Sequence, residues 1–402
     1  MSGTEALDRT ANPVPSVVAP PRNDVVIVHD WIGHVGGAEM CLREFAAFFP
    51  NAPILTLFSE AGAAVSLGID PTRIRESYLA RIPRAMSLRR YLIPFFADAI
   101  QTLDVGDARV VLASSHAVAK SIPHRSYQRV LAYVYSPMRY AHDLLHEYLR
   151  GVPAPMRPYV RSVLRRLAAW DIATATGVHT FVAISRGIAE RIWTTYRRRA
   201  EVVHPPVAVQ NIPLSNNGGG GDYYVLLSRL VRYKRFDLAV RAAARARRRL
   251  VVIGDGPDRQ RLQAIAQEER ATDIIEFVGR LPHAQKFEVL GGARALLFPG
   301  EEDFGIVGVE ALATGTPVIA YGRGGMLDIL GGDYDPLLSG PPRLERGGVL
   351  FASQTVDDLI AAMQVLESSS QPSAQDRRVL AEQFDSPVFR KRILEIIDSV
   401  AG

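Results

Sequence analysis

Two hydrophobic patterns alternate along the chain. Short apolar runs, rich in β-branched residues, occur at Asp24–Val28, Ala52–Phe58, Arg109–Ser114, Val130–Tyr135, Thr180–Ser185, Tyr223–Leu227, Leu250–Ile253, Ile274–Gly279, Thr316–Ala320 and Gly347–Phe351. Runs with so few polar interruptions are expected of parallel strands buried on both faces. Between them, apolar residues recur every three or four positions, which predicts helices over Ala38–Phe48, Met156–Thr176, Val356–Leu366 and from Ser386-Pro387 to about Val400. Strands alternating with amphipathic helices read as an α/β protein with doubly wound parallel sheets.

The alternation breaks once, at Asn211–Gly221, NIPLSNNGGGG. Gly and Asn in such density predict a flexible linker. A chain of 402 residues is too long for one ordinary core. The expected division is a tail over 1–22, a Rossmann-like domain over 23–208, a linker over 209–221, a second Rossmann-like domain over 222–385 and a final helix over 386–402. The first residues lack the basic start and apolar core of a signal peptide.

Composition narrows the chemistry only partly. The chain is 48% hydrophobic and 22% charged, with a net charge of +5, which is globular and mildly basic. That charge suits nucleotide diphosphates, anionic lipid or nucleic acid. Nucleic acid would need a basic stripe interleaved with stacking aromatics, whereas these arginines are spread among helices. A lone cysteine, Cys41, excludes an internal disulfide and a Cys-built metal site, and its helical neighbours make it a core residue. The stretch Leu79–Phe96 mixes Arg81, Arg84, Arg89 and Arg90 with leucine, isoleucine and aromatics. It reads either as a contact with an anionic membrane or as a packed helix with a solvated arginine face.

The richest stretch is Phe298–Asp328, FPGEEDFGIVGVEALATGTPVIAYGRGGMLD. Pro299-Gly300 ends a strand, Glu301, Glu302 and Asp303 form an acidic loop, a helix runs from about Gly305 to Ala313, and Gly315 stands where a cap belongs. By helical spacing Glu310 shares a core-facing stripe with Ile306, Val307, Ala313 and Thr314. A buried carboxylate there needs an internal donor or a ligand hydroxyl. A helix start between Glu302 and Glu310 favours an anion. Carboxylate, anion site and carboxylate match the sugar hydroxyls, diphosphate and ribose of a sugar nucleotide.

Glu302 and Glu310 resemble the Glu-x7-Glu signature of the retaining glycosyltransferases of family 4, which have the GT-B fold of two Rossmann-like domains facing a cleft. The resemblance runs from about Asp24 to the C-terminal end. HDW with GGAE near the start, SSHAVAK, SPMRY and EEDFGIVGVEA are similar to the mannosyltransferases of O-antigen and exopolysaccharide synthesis. Tyr135 is a departure, since that subgroup often has histidine there. The resemblance implies a metal-independent hexose transfer, with GDP-mannose as donor and a glycan or polyprenyl-diphosphate-linked acceptor. A UDP-hexose donor, or a non-catalytic sugar-nucleotide-binding homologue, is the alternative. No cofactor or metal is implied.

The matching positions imply roles. Arg229 and Lys234 hold and neutralise the diphosphate. Glu302 serves the sugar and the developing positive charge. His116 contacts sugar or acceptor. Gly36 and Gly37 approach the phosphates, as do the backbone groups of Phe304, Gly305, Ile306 and Val307. Glu310 takes the ribose, Arg280 lies at the nucleobase, and Arg139, Tyr140, His142 and Asp143 shape the acceptor pocket. The final helix crosses back to the first domain. Asp333-Tyr334-Asp335, formally the metal motif of the other large glycosyltransferase fold, reads as a loop. The expected location is the cytoplasm, with peripheral contact at the inner face of the plasma membrane.

Overall fold

A computed structural model describes residues 24–33, 36–142, 145–150, 152–215 and 217–401. The expected tail over 1–22 and the proposed acceptor contact Asp143 lie outside the described residues. Seven strands form the first sheet: β1 (Val25–His29), β2 (Ile54–Thr56), β3 (Ile74–Glu76), β4 (Val110–Ser115), β5 (Arg129–Val134), β6 (Thr180–Ala183) and β7 (Ala200–Val202). All pair in parallel, in the order β3-β2-β1-β4-β5-β6-β7. The second sheet holds β8 (Tyr223–Leu227), β9 (Arg249–Ile253), β10 (Ile275–Gly279), β11 (Ala295–Phe298), β12 (Val318–Tyr321), β13 (Arg343–Glu345) and β14 (Gly348–Phe351). Its order is β10-β9-β8-β11-β12-β14-β13, and only β13 runs antiparallel. These are two Rossmann-like α/β domains. β1 is buried along its whole length, as expected of a strand covered by helices on both faces.

In each sheet the chain reverses its winding direction at one place, between β1 and β4 and again between β8 and β11. Crevices beyond the carboxyl ends of the strands open at such points, and ligands bind there. The register of β1 on β4 runs from Val25 opposite Val110 to His29 opposite Ser114, so both strands end level.

The helix Gly37–Phe48 buries Cys41, Leu42, Phe45 and Phe48 against the first sheet. The last helix, Ser386–Ala401, lays Phe389 against Phe45 and Phe48, with ring centroids 5.5 and 6.0 Å apart. The chain thus returns to the first domain after completing the second.

The segment expected to be a flexible linker is packed instead. The Arg378 guanidinium is buried and donates to the carbonyls of Ile212 (2.6 Å) and Ala313 (2.8 Å), while Arg377 donates to Gly315 (2.7 Å) and Gly218 (3.0 Å). A side chain at Gly218 would strike the Gly315 backbone, and one at Gly221 the Gly292 carbonyl. These glycines permit close approach rather than mobility. The two domain crossings lie side by side elsewhere: Val207 bridges to Asp385, and the Asp385 carboxylate accepts from the Val209 N–H at 3.1 Å. The Leu79–Phe96 stretch is broken as well, with a 3-10 turn at Tyr78–Arg81, a helix at Ala85–Leu92 and a second 3-10 turn at Ile93–Phe95. Arg84, at φ 57°, marks the break before that helix.

Candidate active site

On the first domain the site begins where β1 and β4 end. Asp30 is fully buried and follows β1 directly. Its Oδ2 accepts from the backbone N–H groups of His116 (2.6 Å) and Ala117 (2.8 Å), and its Oδ1 from those of Val118 (2.6 Å) and Ala119 (2.7 Å). Four charge-assisted bonds offset the cost of burying the carboxylate and pin the loop that presents His116. The His116 ring is about one quarter exposed and stands edge-on to Trp31, with centroids 4.3 Å apart. Asp30 had no role in the sequence reading, because a buried aspartate satisfied by backbone leaves no spacing signal.

Behind His116 lies a buried polar chain. His29 Nδ1 and Ser114 Oγ are 2.9 Å apart, and Ser114 Oγ and Tyr135 Oη 2.8 Å. The Tyr135 hydroxyl also donates to the Ala38 carbonyl at 3.2 Å. Position 135 therefore ties β5 to the start of the first helix and so supports the Gly36-Gly37 turn. Burial, reinforced by the nearby His116, pushes the His29 imidazole down to about 3. Burial likewise raises the Cys41 thiol to about 12, which leaves it an unreactive core group.

On the second domain the site is built from the loops after β8 and β11. Lys234 is buried; it forms an ion pair with Glu302 and donates to Ser228 Oγ. The close fit depends on Gly300, where a Cβ would lie 2.7 Å from the Lys234 Cα. After the acidic loop, Gly305 adopts φ 101°, in the left-handed region that glycine tolerates, and the helix Ile306–Ala313 begins. The two domains meet closely here, since a Cβ on Gly37 would sit 3.3 Å from Ile306 Cδ1. Arg229 and Arg280 are exposed at the ends of β8 and β10. Phe304 contributes only its backbone, because its ring is buried and stacked on His204, with centroids 5.6 Å apart.

Glu310 corrects its expected environment. The face of its helix that is buried comprises Gly308, Val309, Ala311, Leu312 and Ala313. Glu310 lies outside that face, and Lys286 Nζ pairs with its Oε1 at 2.8 Å. It therefore has a protein partner already. The pair borders a cavity of ≈ 580 Å³ whose other walls include Arg43, His283, Phe287 and Ile306. Lys286 and Glu310 are 24 positions apart, a separation that follows no helical or strand period and so leaves no signal in the sequence.

Arg139 and His142, expected at the acceptor pocket, have other partners. His142 Nε2 lies 2.9 Å from Asp171 Oδ2, in a buried cluster where Asp171 also pairs with Lys120 and accepts from the Tyr196 hydroxyl at 2.7 Å. Arg139 reaches across to the second domain and pairs with Asp303 at 3.3 Å. Arg191 pairs with Asp303 at 2.7 Å and with Glu301 at 3.2 Å. Arg186 pairs with Asp328. Asp333-Tyr334-Asp335 is a loop, and Tyr334 lies under the Arg186 guanidinium, 4.4 Å from ring centroid to Cζ.

Comparison with known proteins agrees with this arrangement. Residues 213–382 match the model of the family described as glycosyl transferases group 1. A 2-deoxystreptamine glucosyltransferase of Streptomyces kanamyceticus is 31% identical over 219 residues, 52% of this chain and 54% of the relative. The chain thus spans about half the length of that curated relative. An alpha-1,3/1,6-mannosyltransferase of Neurospora crassa is 25% identical over 203 residues, covering 39% of this chain and 43% of its own. The crystal structure of Anabaena Alr3699/HepE in complex with UDP superposes with a TM-score of 0.65 at 16% identity, covering 94% of this chain and 100% of that one. At that identity the likeness concerns the fold, which is the two-domain GT-B arrangement.

Proposed function

We propose that the chain is a glycosyltransferase that takes a hexose from a nucleotide sugar and passes it, with retention at the anomeric centre, to a glycan or lipid-linked acceptor. The observation that carries this reading is the Lys234–Glu302 pair at the switch point of the second sheet, beside the start of the Ile306–Ala313 helix. A diphosphate entering there meets a buried ammonium, the backbone N–H groups at the helix start and the exposed Arg229. These groups stabilise negative charge as the bond to the sugar breaks, and fixed dipoles and cations of this kind supply the largest catalytic term in many enzymes. Glu302 stands next to the same cation and favours the positive charge developing on the sugar. Glu310, oriented by Lys286, accepts from the ribose hydroxyls. His116, on its pinned loop, contacts the sugar or the acceptor.

In this reading side-chain cations neutralise the leaving group and no metal is required, so transfer persists in EDTA. The preferred donor is GDP-mannose, on the strength of the HDW, SPMRY and EEDFGIVGVEA stretches. A UDP-hexose is the second reading: the relative from Streptomyces kanamyceticus is a glucosyltransferase, which favours a hexose other than mannose, and the structure of similar fold is a complex with UDP. The acceptor is proposed to be presented at an anionic membrane surface. Tyr91, Phe95, Met156 and Tyr159 are each more than half exposed, and they lie among the exposed Arg84, Arg89, Arg90 and Arg157. A groove of ≈ 390 Å³ runs between the two segments.

Calorimetric titration with GDP-, UDP-, ADP- and dTDP-sugars, followed by assay of donor hydrolysis and transfer, tests the proposal. Binding of one nucleotide class with turnover supports it and fixes the donor. Binding without turnover identifies a non-catalytic homologue, and binding of none overturns the reading.

A further inference from the structure

Three consecutive carboxylates, Glu301, Glu302 and Asp303, occupy the loop that enters the proposed donor site. Each has a counter-charge, and the sources differ. Glu302 is neutralised within its own domain by Lys234. Glu301 and Asp303 take theirs from the first domain: Arg191 spans Glu301 (3.2 Å) and Asp303 (2.7 Å), and Arg139 adds a contact to Asp303 at 3.3 Å. Arg191 sits on the helix that follows β6, and Arg139 follows β5. Both lie at the carboxyl edge of the first sheet.

We infer that Arg139 and Arg191 are positioning residues, holding the acidic loop from the opposite domain so that Glu302 and Lys234 stand correctly for the donor. The inference rests on the glycosyltransferase reading for its catalytic consequence. The physical argument is one of charge. With the first domain removed, only the Glu302–Lys234 ion pair of the three carboxylates would remain, and their mutual repulsion would spread the loop and draw Lys234 away from a diphosphate. With both arginines in place the outer two carboxylates are satisfied, and the lysine is left to the central one. A planar guanidinium bridging two carboxylates also fixes direction, which an ammonium does not. Isolated surface ion pairs contribute little to stability. The role assigned here is geometric: displacement of a catalytic group by about 1 Å can cost about 100-fold in rate.

The test compares the unsubstituted chain with R139A/R191A and with R191K. Amide hydrogen exchange is followed on the peptide spanning residues 299–308. In R139A/R191A it is expected to accelerate by roughly tenfold, confined to that peptide, with a smaller change in R191K. Unchanged exchange overturns the clamp, and acceleration spread over both domains overturns it in favour of general destabilisation. With the sugar nucleotide that the unsubstituted protein turns over, kcat should fall by about 100-fold while the donor KM changes by less than about threefold. An unchanged kcat, or an effect on KM alone, overturns the positioning role. Absence of turnover with every donor by the unsubstituted protein overturns the glycosyltransferase reading instead, and the exchange measurement still decides for or against the clamp.

Discussion

Lys234 and His29 are both buried, and each illustrates what a single residue contributes. Lys234→Ala leaves Glu302 without its cation and removes the charge proposed to meet the diphosphate. Turnover of the donor is expected to fall by about two to three orders of magnitude, with the fold retained in circular dichroism. Near-normal turnover would take Lys234 out of the mechanism. His29 has a different consequence. Its imidazole is held near 3 in the folded chain against 6.5 in the unfolded one. Between those values the unfolded chain binds a proton that the folded chain does not. Stability is therefore lost as the pH falls through this window, by up to about 1.4 kcal/mol per pH unit. His204 is shifted in the same direction, chiefly by burial. Urea denaturation at about pH 7 and about pH 5.5 should show a smaller loss for His29→Asn than for the unsubstituted protein, by roughly 1 kcal/mol. Equal losses would place the acid sensitivity elsewhere.

At the scale of elements, the helix Ile306–Ala313 and the glycine loop after β12 act together. The Gly325 N–H donates to the Glu302 carbonyl at 2.9 Å, and Gly324 holds φ 63° with its Cβ direction aimed at that same carbonyl. Gly324→Ala should cost about 1–2 kcal/mol from the left-handed backbone alone and should displace the acidic loop as well. We expect a modest drop in melting temperature together with a disproportionate fall in kcat; a drop in stability with kcat unchanged would show that the loop tolerates the shift. The helix itself was legible from periodicity, and its observed bounds lie close to the expected ones. The surroundings of Glu310 were not legible. Spacing assigns residues to a face, but it does not say whether that face meets core, cleft or a lysine from a neighbouring helix. The Asn211–Gly221 segment shows the same limit. Its composition has two physical meanings, mobility or close approach, and the buried Arg377 and Arg378 select the second.

For the whole molecule, the segments beyond the carboxyl ends of the two sheets meet through ion pairs such as Arg139–Asp303 and Arg186–Asp328, and the chain crosses between the domains twice at adjoining points, near Val207 and Asp385. Any relative motion of the domains must turn about this paired crossing rather than about a slack linker. The arginine-rich face of the first domain leads to a prediction at this scale. Substitution of Arg84, Arg89 and Arg90 by Ala should weaken co-sedimentation with vesicles containing phosphatidylglycerol, each arginine near the surface contributing about 1 kcal/mol. Binding that is absent, or indifferent to the substitutions, would favour an acceptor in solution. Among the described residues no helix is long and apolar enough to cross a membrane, so the proposed contact is one of surface charge and exposed aromatic side chains.

The sequence by itself determined the two parallel sheets, the loops that end their central strands and the carboxylates and cations those loops carry. Buried parallel strands need continuous apolar runs, and phosphate-binding loops need glycine and charge at strand ends, so both leave local traces. Tertiary structure alone decided which charges meet. Arg139 and Asp303 are 164 positions apart, and Arg191 and Asp303 are 112 apart. No local period encodes such pairs; they exist only because two separately wound sheets present their carboxyl edges to each other. The same holds for Asp30, whose carboxylate is satisfied by backbone N–H groups 86 to 89 positions away, supplied by the loop after β4, a strand that becomes the neighbour of β1 only when the sheet has formed.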